Sequence, residues 1–243
     1  MIQSSSNLLT RAFSEKILQD LWEKVQNEFL SATWDTLYTT LLATFFAIVI
    51  GLPLGMLLVA GDKNGVRPLP GWLMKIINVI INLLRSIPFL IMMMMLLPVT
   101  RAIIGKAIGT DATIVPLVVA AFPFVARLVE SSLREVNPNI IETAQSMGAT
   151  PMQILFKVML PESVPSLISN FTVAITTIMG YTAMAGAVGG GGLGKIAIQY
   201  GYYNFKYLVM WAAVICLILL VQIFQSVGSR LATICDKRLK NRS

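Results

Sequence analysis

The sequence predicts an all-α, polytopic membrane protein with five transmembrane helices and a helical hairpin on the cytoplasmic side. Three observations carry this expectation. Hydrophobic residues make up 56% of the 243-residue chain and charged residues only 13%, against roughly 25% charge in a soluble globular domain. Mean hydropathy is +0.73, and the apolar residues gather into five runs near the length of about 20 residues that crosses a bilayer as a helix. Between the third and fourth runs lies a polar stretch carrying helix start and stop residues.

Residues 1–30 read as an extension. Phe13, Ile17, Leu21, Val25 and Phe29 recur at helical spacing, with Glu15, Lys16, Glu23 and Lys24 elsewhere on the wheel. An amphipathic helix on the outer interface and a solvated extension both satisfy this pattern. A signal peptide is not expected, because no continuous apolar core follows the first basic residue.

The membrane-spanning body is expected over 31–230. Its first span is Thr36 to Ala60, uncharged, with Gly51 and Gly55 flanking Pro53 as a close-packing pair. The second, Ile76 to Pro98, contains Arg85, and Pro88 is expected to bend it. Its run Met92 to Met95 points all round the helix and reads as lipid-facing and core filler. The third is Thr110 to Val129, with Pro116 and Pro123. The fourth, Ser166 to Val188, is rich in small and hydroxyl residues, and the fifth is Tyr207 to Gly228. A basic tail occupies 231–243.

Five crossings place the termini on opposite sides. Lys63, Arg67, Lys75, Arg127, Arg134, Lys157, Arg230 and the tail residues Lys237, Arg238, Lys240 and Arg242 fall on one side, eleven against seven on the other. Cationic loops stay in the cytoplasm, so the C-terminus is expected there and the N-terminus outside. The same distribution accounts for the net charge of +7 without a nucleic-acid partner. With no histidine and two cysteines, a His- or Cys-based metal site and a His-dependent triad are excluded. No catalytic residue and no resident cofactor are expected.

The loop at about 135–165 is the most informative segment. Asn137-Pro138 is a helix start, and Gly148 is a stop that tolerates the left-handed conformation. Thr150-Pro151-Met152-Gln153 begins a second helix at capping-box spacing. Leu155, Val158 and Met159 give that helix an apolar face, and Leu160-Pro161 is expected to end it. A connector needs only a few residues. This one caps both helices and is expected to hold Ala144 and Gly148 where another surface approaches closely, so it reads as a docking element.

In the spans, Asn170, Thr177, Tyr181 and Met184 share one face of the fourth, and they are the candidate lining of a translocation path. Packing alone is the other reading of that stripe. Ser169, Thr172, Thr176, Gly180, Ala183 and Ala187 form an adjacent small face suited to helix packing. Arg85 with Pro88 is a candidate gate or structural pair; snorkelling to the surface is the alternative. The run Gly189 to Gly194 followed by Lys195-Ile196 resembles a phosphate loop only superficially, because Ile196 stands where a magnesium-binding hydroxyl is needed. It reads as a flexible exit from the fourth span.

Glu142, Ala144, Gly148, Ala149, Ile154 and Leu160-Pro161 resemble the coupling loop of ABC importer permeases, a type I importer fold. Arg85-Ser-Ile-Pro-Phe89, Met147 to Ile154, Gly180 to Val188 and Gln199-Tyr-Gly-Tyr202 are similar to the methionine-uptake (D-/L-methionine) permeases. The resemblance covers Ser31 to the C-terminus. It implies a coupling loop inserted into a cytoplasmic ATPase, and a methionine importer in the cytoplasmic (inner) membrane. The partners it implies are a second copy of the chain, two ATPase subunits that hold ATP and magnesium, and an extracytoplasmic binding protein. A permease for another small amino acid is the alternative, ahead of an ATPase-independent channel or carrier, for which the spans lack an acidic residue away from their edges.

Overall fold

The structure is a computed structural model that describes Gln19 and residues 28–236. The extension over residues 1–30, apart from its last residues, and the basic tail after Asp236 lie outside the described residues. Among the described residues every regular element is helical: α1 (Leu30–Ala60), α2 (Gly71–Ser86), α3 (Phe89–Met95), α4 (Leu97–Ile104), α5 (Thr110–Arg134), α6 (Pro138–Ser146), α7 (Pro151–Gln153), α8 (Leu160–Glu162), α9 (Val164–Ala185), α10 (Gly192–Ile196) and α11 (Tyr207–Cys235). Helices α1, α5, α9 and α11 are each long and apolar enough to cross a membrane.

The second span is broken rather than merely bent. Helices α2 and α3 meet at 102°. Ile87 (ψ 124°) and Pro88 (ψ 135°) are both extended between them, because the proline ring drives the preceding residue out of the helical region. The segment still completes one crossing in pieces. Asn78 and Asn82 of α2 reach Arg127 of α5, and Phe89 and Met92 of α3 share a cavity with Phe124. After α4, Gly109 meets Gly189 at the far end (N–H to O, 3.1 Å). Met92 and Met93 are buried, whereas Met94 and Met95 are exposed, as expected of a run that is part filler and part lipid-facing.

Helices α1 and α5 form the central pair. A Cβ on Gly51 would lie 2.8 Å from Val125, and one on Gly55 would lie 2.6 Å from the Ala126 carbonyl oxygen. Glycine at both sites lets the two backbones approach as small-residue transmembrane pairs do. Helix α9 packs on α1, α5 and α11. The last of these contacts holds Thr172 against Gly228.

The two ends of the bundle are distinct. At one end Asp62, Arg134 and Glu142 line one cleft, and Ile140, Lys157 and Asp236 line another. The loop after α1, the α6–α8 hairpin and the end of α11 are therefore neighbours. At the other end the starts of α1 and α5 meet the glycine-rich run, through Asp35, Thr110 and Gly189 to Gly192. The start of α1 and the end of α11 thus lie at opposite ends, as five crossings require.

That glycine run is not a loose exit. Gly190, Gly192, Leu193 and Gly194 are buried, and α10 folds back against α9 and α1. The buried Leu193 N–H donates to Thr36 Oγ1 at 2.9 Å, while the Thr36 hydroxyl donates to the Ala32 carbonyl. Thr36→Val keeps the shape and strands a buried N–H, which costs roughly 1–3 kcal/mol. Lower thermal stability of the purified chain is expected for T36V, with Thr36→Ser close to wild type; equal melting of all three would deny the clamp its role.

Candidate functional site: the helical hairpin and the break beneath the path

The hairpin owes its shape to chain chemistry at three points. Asn137 caps α6, its side chain accepting from the Asn139 N–H at 3.0 Å. At the end of α6, Gly148 takes φ +74°. Its N–H donates to the Gln145 carbonyl (2.9 Å), and the Ala149 N–H donates to the Ala144 carbonyl (3.1 Å). That is the paired-bond Schellman stop, with its apolar contact between the residues at the two ends of the longer bond. Both Ala144 and Ala149 belong to the apolar core. Thr150 and Gln153 then close a reciprocal capping box.

The second helix does not end at Leu160-Pro161, contrary to the sequence expectation. Residues Ile154–Met159 form a π-helical segment, and Leu160 remains helical (φ −63°, ψ −49°). Its N–H bonds to the Leu155 carbonyl, whereas the Ser163 N–H bonds to Met159. The missing N–H of Pro161 falls where the ladder changes register, so the proline fits without breaking the helix.

The seven coupling residues separate by direction. Glu142, Gly148 and Pro161 are exposed, Ala149 and Leu160 half-buried, and Ala144 and Ile154 buried. Ala144 therefore does not present a surface to an outside partner, as the sequence alone suggested. It faces the core that also contains Val129, Leu133, Met159 and Leu167. The surface that faces outward is different: Met147 is 74% exposed and Met152 54%, on either side of the glycine stop. Two large apolar side chains at the tip of the most polar segment are an exposed feature that sequence reasoning passed over.

The hairpin is anchored to the spans by packing and charge. Ile154, Leu155 and Met159 are buried in one core with α5 and α9 residues, and such interiors transmit displacement because they are close-packed. Beside it, Arg127 bonds Glu130 (2.7 Å) and Asn78 (2.7 Å), and Arg134 bonds Glu130 and Asp62 (both 2.9 Å). The Arg134 hydrogen bond, then the Lys63 N–H, hold the Asp62 carboxyl below its ordinary range. Composition gave these arginines only as orienting charge.

Of the candidate path residues, Asn170 donates to Ser132 Oγ (2.8 Å) and the Leu128 carbonyl (3.3 Å), which commits it to α5–α9 packing. Thr177 donates to its own helix at Val173. Tyr181 stacks on Phe89 with centroids 4.7 Å apart and planes at 8°, and Met184 is exposed. The structure therefore gathers Tyr181 with Arg85 at the α2–α3 break created by Pro88, around one cavity, and leaves Asn170 out of it.

The family model described as the inner membrane component of binding-protein-dependent transport systems matches residues 51–241. The chain is 47% identical over 210 residues to a probable D-methionine transport system permease protein of Vibrio cholerae, covering 86% of this chain and 92% of that one. It is 43% identical over 215 residues to the methionine import system permease protein of Bacillus subtilis, covering 87% and 95%. Among solved structures, an inward-facing conformation of the MetNI methionine ABC transporter superposes with a TM-score of 0.84 at 43% identity, covering 86% of this chain and 96% of that one. With the matched region spanning the broken second helix, the hairpin and the last two spans, the chain belongs to the family of inner membrane components of binding-protein-dependent transport systems.

Proposed function

We propose that this chain is the membrane-spanning permease subunit of an ATP-driven methionine importer. The observation that carries the reading is the rigid hairpin, capped at both helix starts and stopped at Gly148, whose exposed Met147–Met152 tip is continuous through Ile154 with the core of the spans. The resemblance to methionine permeases supports the substrate. In this reading two copies pair about an axis along the membrane normal. Two ATPase subunits, which hold ATP and magnesium, receive the two tips, and an extracytoplasmic binding protein delivers the amino acid. The hairpin and the C-terminus face the cytoplasm and the start of α1 faces outward. ATP binding favours one of two bundle arrangements, which requires different affinity for the two.

The test is uptake of labelled methionine into proteoliposomes holding the chain, its ATPase and its binding protein, with unlabelled amino acids as competitors. Uptake that requires ATP and yields only to methionine-like competitors is expected. ATP-driven uptake of another amino acid would replace the substrate and keep the class, and ATP-independent flux would overturn both.

A further inference from the structure

Arg85 lines a cavity of about 160 Å³ with Leu84, Phe89, Met92, Phe124 and Tyr181. Arg85 is exposed at this cavity, within the broken second span, and an ionisable residue inside a membrane-crossing segment marks function by default. Its guanidinium makes no hydrogen bond or ion pair with another described residue. The described carboxylates lie toward the helix ends. The nearest along α5, Glu130, is already shared by Arg127 and Arg134.

The anion that matches Arg85 is then carried by a ligand. A guanidinium fork pairs with a carboxylate through two parallel hydrogen bonds. The rest of the lining is aromatic and thioether surface, with Phe89 and Tyr181 already stacked. It suits an apolar side chain, and ring faces also attract an ammonium group. Drug-sized ligands occupy roughly 300–1,000 Å³, and this smaller, open-sided cavity is on the scale of a single amino acid.

We propose that Arg85 receives the carboxylate of the amino acid in transit, with Phe89, Met92 and Tyr181 against its side chain. The assignment rests on the reading of the chain as an amino-acid importer. It makes Arg85 a specificity residue of the path rather than only a gate or a snorkelling charge.

The test is ligand-observed saturation-transfer NMR on the assembled permease–ATPase complex in nanodiscs, without binding protein and with the isolated ATPase as the blank. The probes are methionine and methioninamide. Wild type is expected to favour the acid by roughly tenfold, the scale of one charge-assisted fork. Arg85→Gln is expected to bind both alike in a complex that still assembles. Acid preference retained in R85Q overturns the assignment, as does equal binding of acid and amide by wild type. Should R85Q not assemble, Arg85→Lys decides: loss of about threefold or more in preference supports the fork, and wild-type preference overturns it. A wild type that binds another free amino acid in place of methionine overturns the substrate reading alone. That amino acid and its amide then decide Arg85 in the same three proteins.

Discussion

Gly148→Val is expected to abolish ATP-driven uptake while the permease still folds, inserts and pairs. Gly148 has φ +74°, a conformation that costs an L-residue about 1–2 kcal/mol and is a genuine outlier for a β-branched one. A Cβ there meets nothing within 4 Å, so the cost is backbone strain and not a clash. The strain is relieved by leaving the left-handed region, and that breaks the bonds from Gly148 and Ala149 to Gln145 and Ala144. Helix α6 then loses its fixed angle to Pro151, and with it the arrangement of the exposed Met147 and Met152. The buried residues Ile154, Leu155 and Met159 remain to hold the second helix on the bundle, which is why assembly survives. Gly148→Asn, which tolerates the left-handed region, is expected to retain most uptake. The measurement is methionine uptake into proteoliposomes alongside ATPase recovery on the tagged permease. Full uptake by G148V would mean that the turn geometry is not what transmits the ATPase movement.

The contrast between residues that face outward and residues that build the turn shows what the sequence can carry. Caps are local: Asn137, Gly148 and the Thr150–Gln153 box were readable because each satisfies orphan backbone groups within a few residues. The apolar spans were readable because length and hydropathy decide them. Direction was not. Ala144 and Ile154 look like contact residues in a motif, but their inward orientation depends on α5 and α9, far away in sequence. Leu160-Pro161 looks like a stop until the π-helical segment shifts the hydrogen-bond register by one residue. Likewise Pro88 announces a bend, yet the 102° break follows from two extended residues seated between α5 and α9. Tyr181 was found by its helical face; its stacking on Phe89 and its neighbour Arg85 required the break to be in place.

Gly194→Ala is expected to destabilise the chain strongly, and the reason lies in the same tertiary level. The glycine run looks like slack because glycine is permissive in the unfolded chain. In the fold it is a tight backbone contact at that end of the bundle. A Cβ on Gly194 would lie 2.5 Å from the Ala183 Cα and 2.8 Å from its carbonyl carbon, and one on Gly186 would lie 2.5 Å from the Gly194 carbonyl carbon. Both sides of the contact are backbone, so no side chain can rotate away. Overpacking costs about 1–3 kcal/mol and more where relief is blocked, and each kcal/mol lowers the melting point by about 2–4 °C at this chain length. A fall of roughly 6–12 °C is expected at the upper end of that range. Gly71→Ala supplies the control, because a Cβ there meets nothing within 4 Å and alanine reduces the entropy of the unfolded chain. Thermal unfolding followed by fluorescence-detected size exclusion separates the two. Equal melting of G194A and G71A would show that α10 can move off α9, and would make the run the hinge that its composition suggests rather than the clamp that its packing describes.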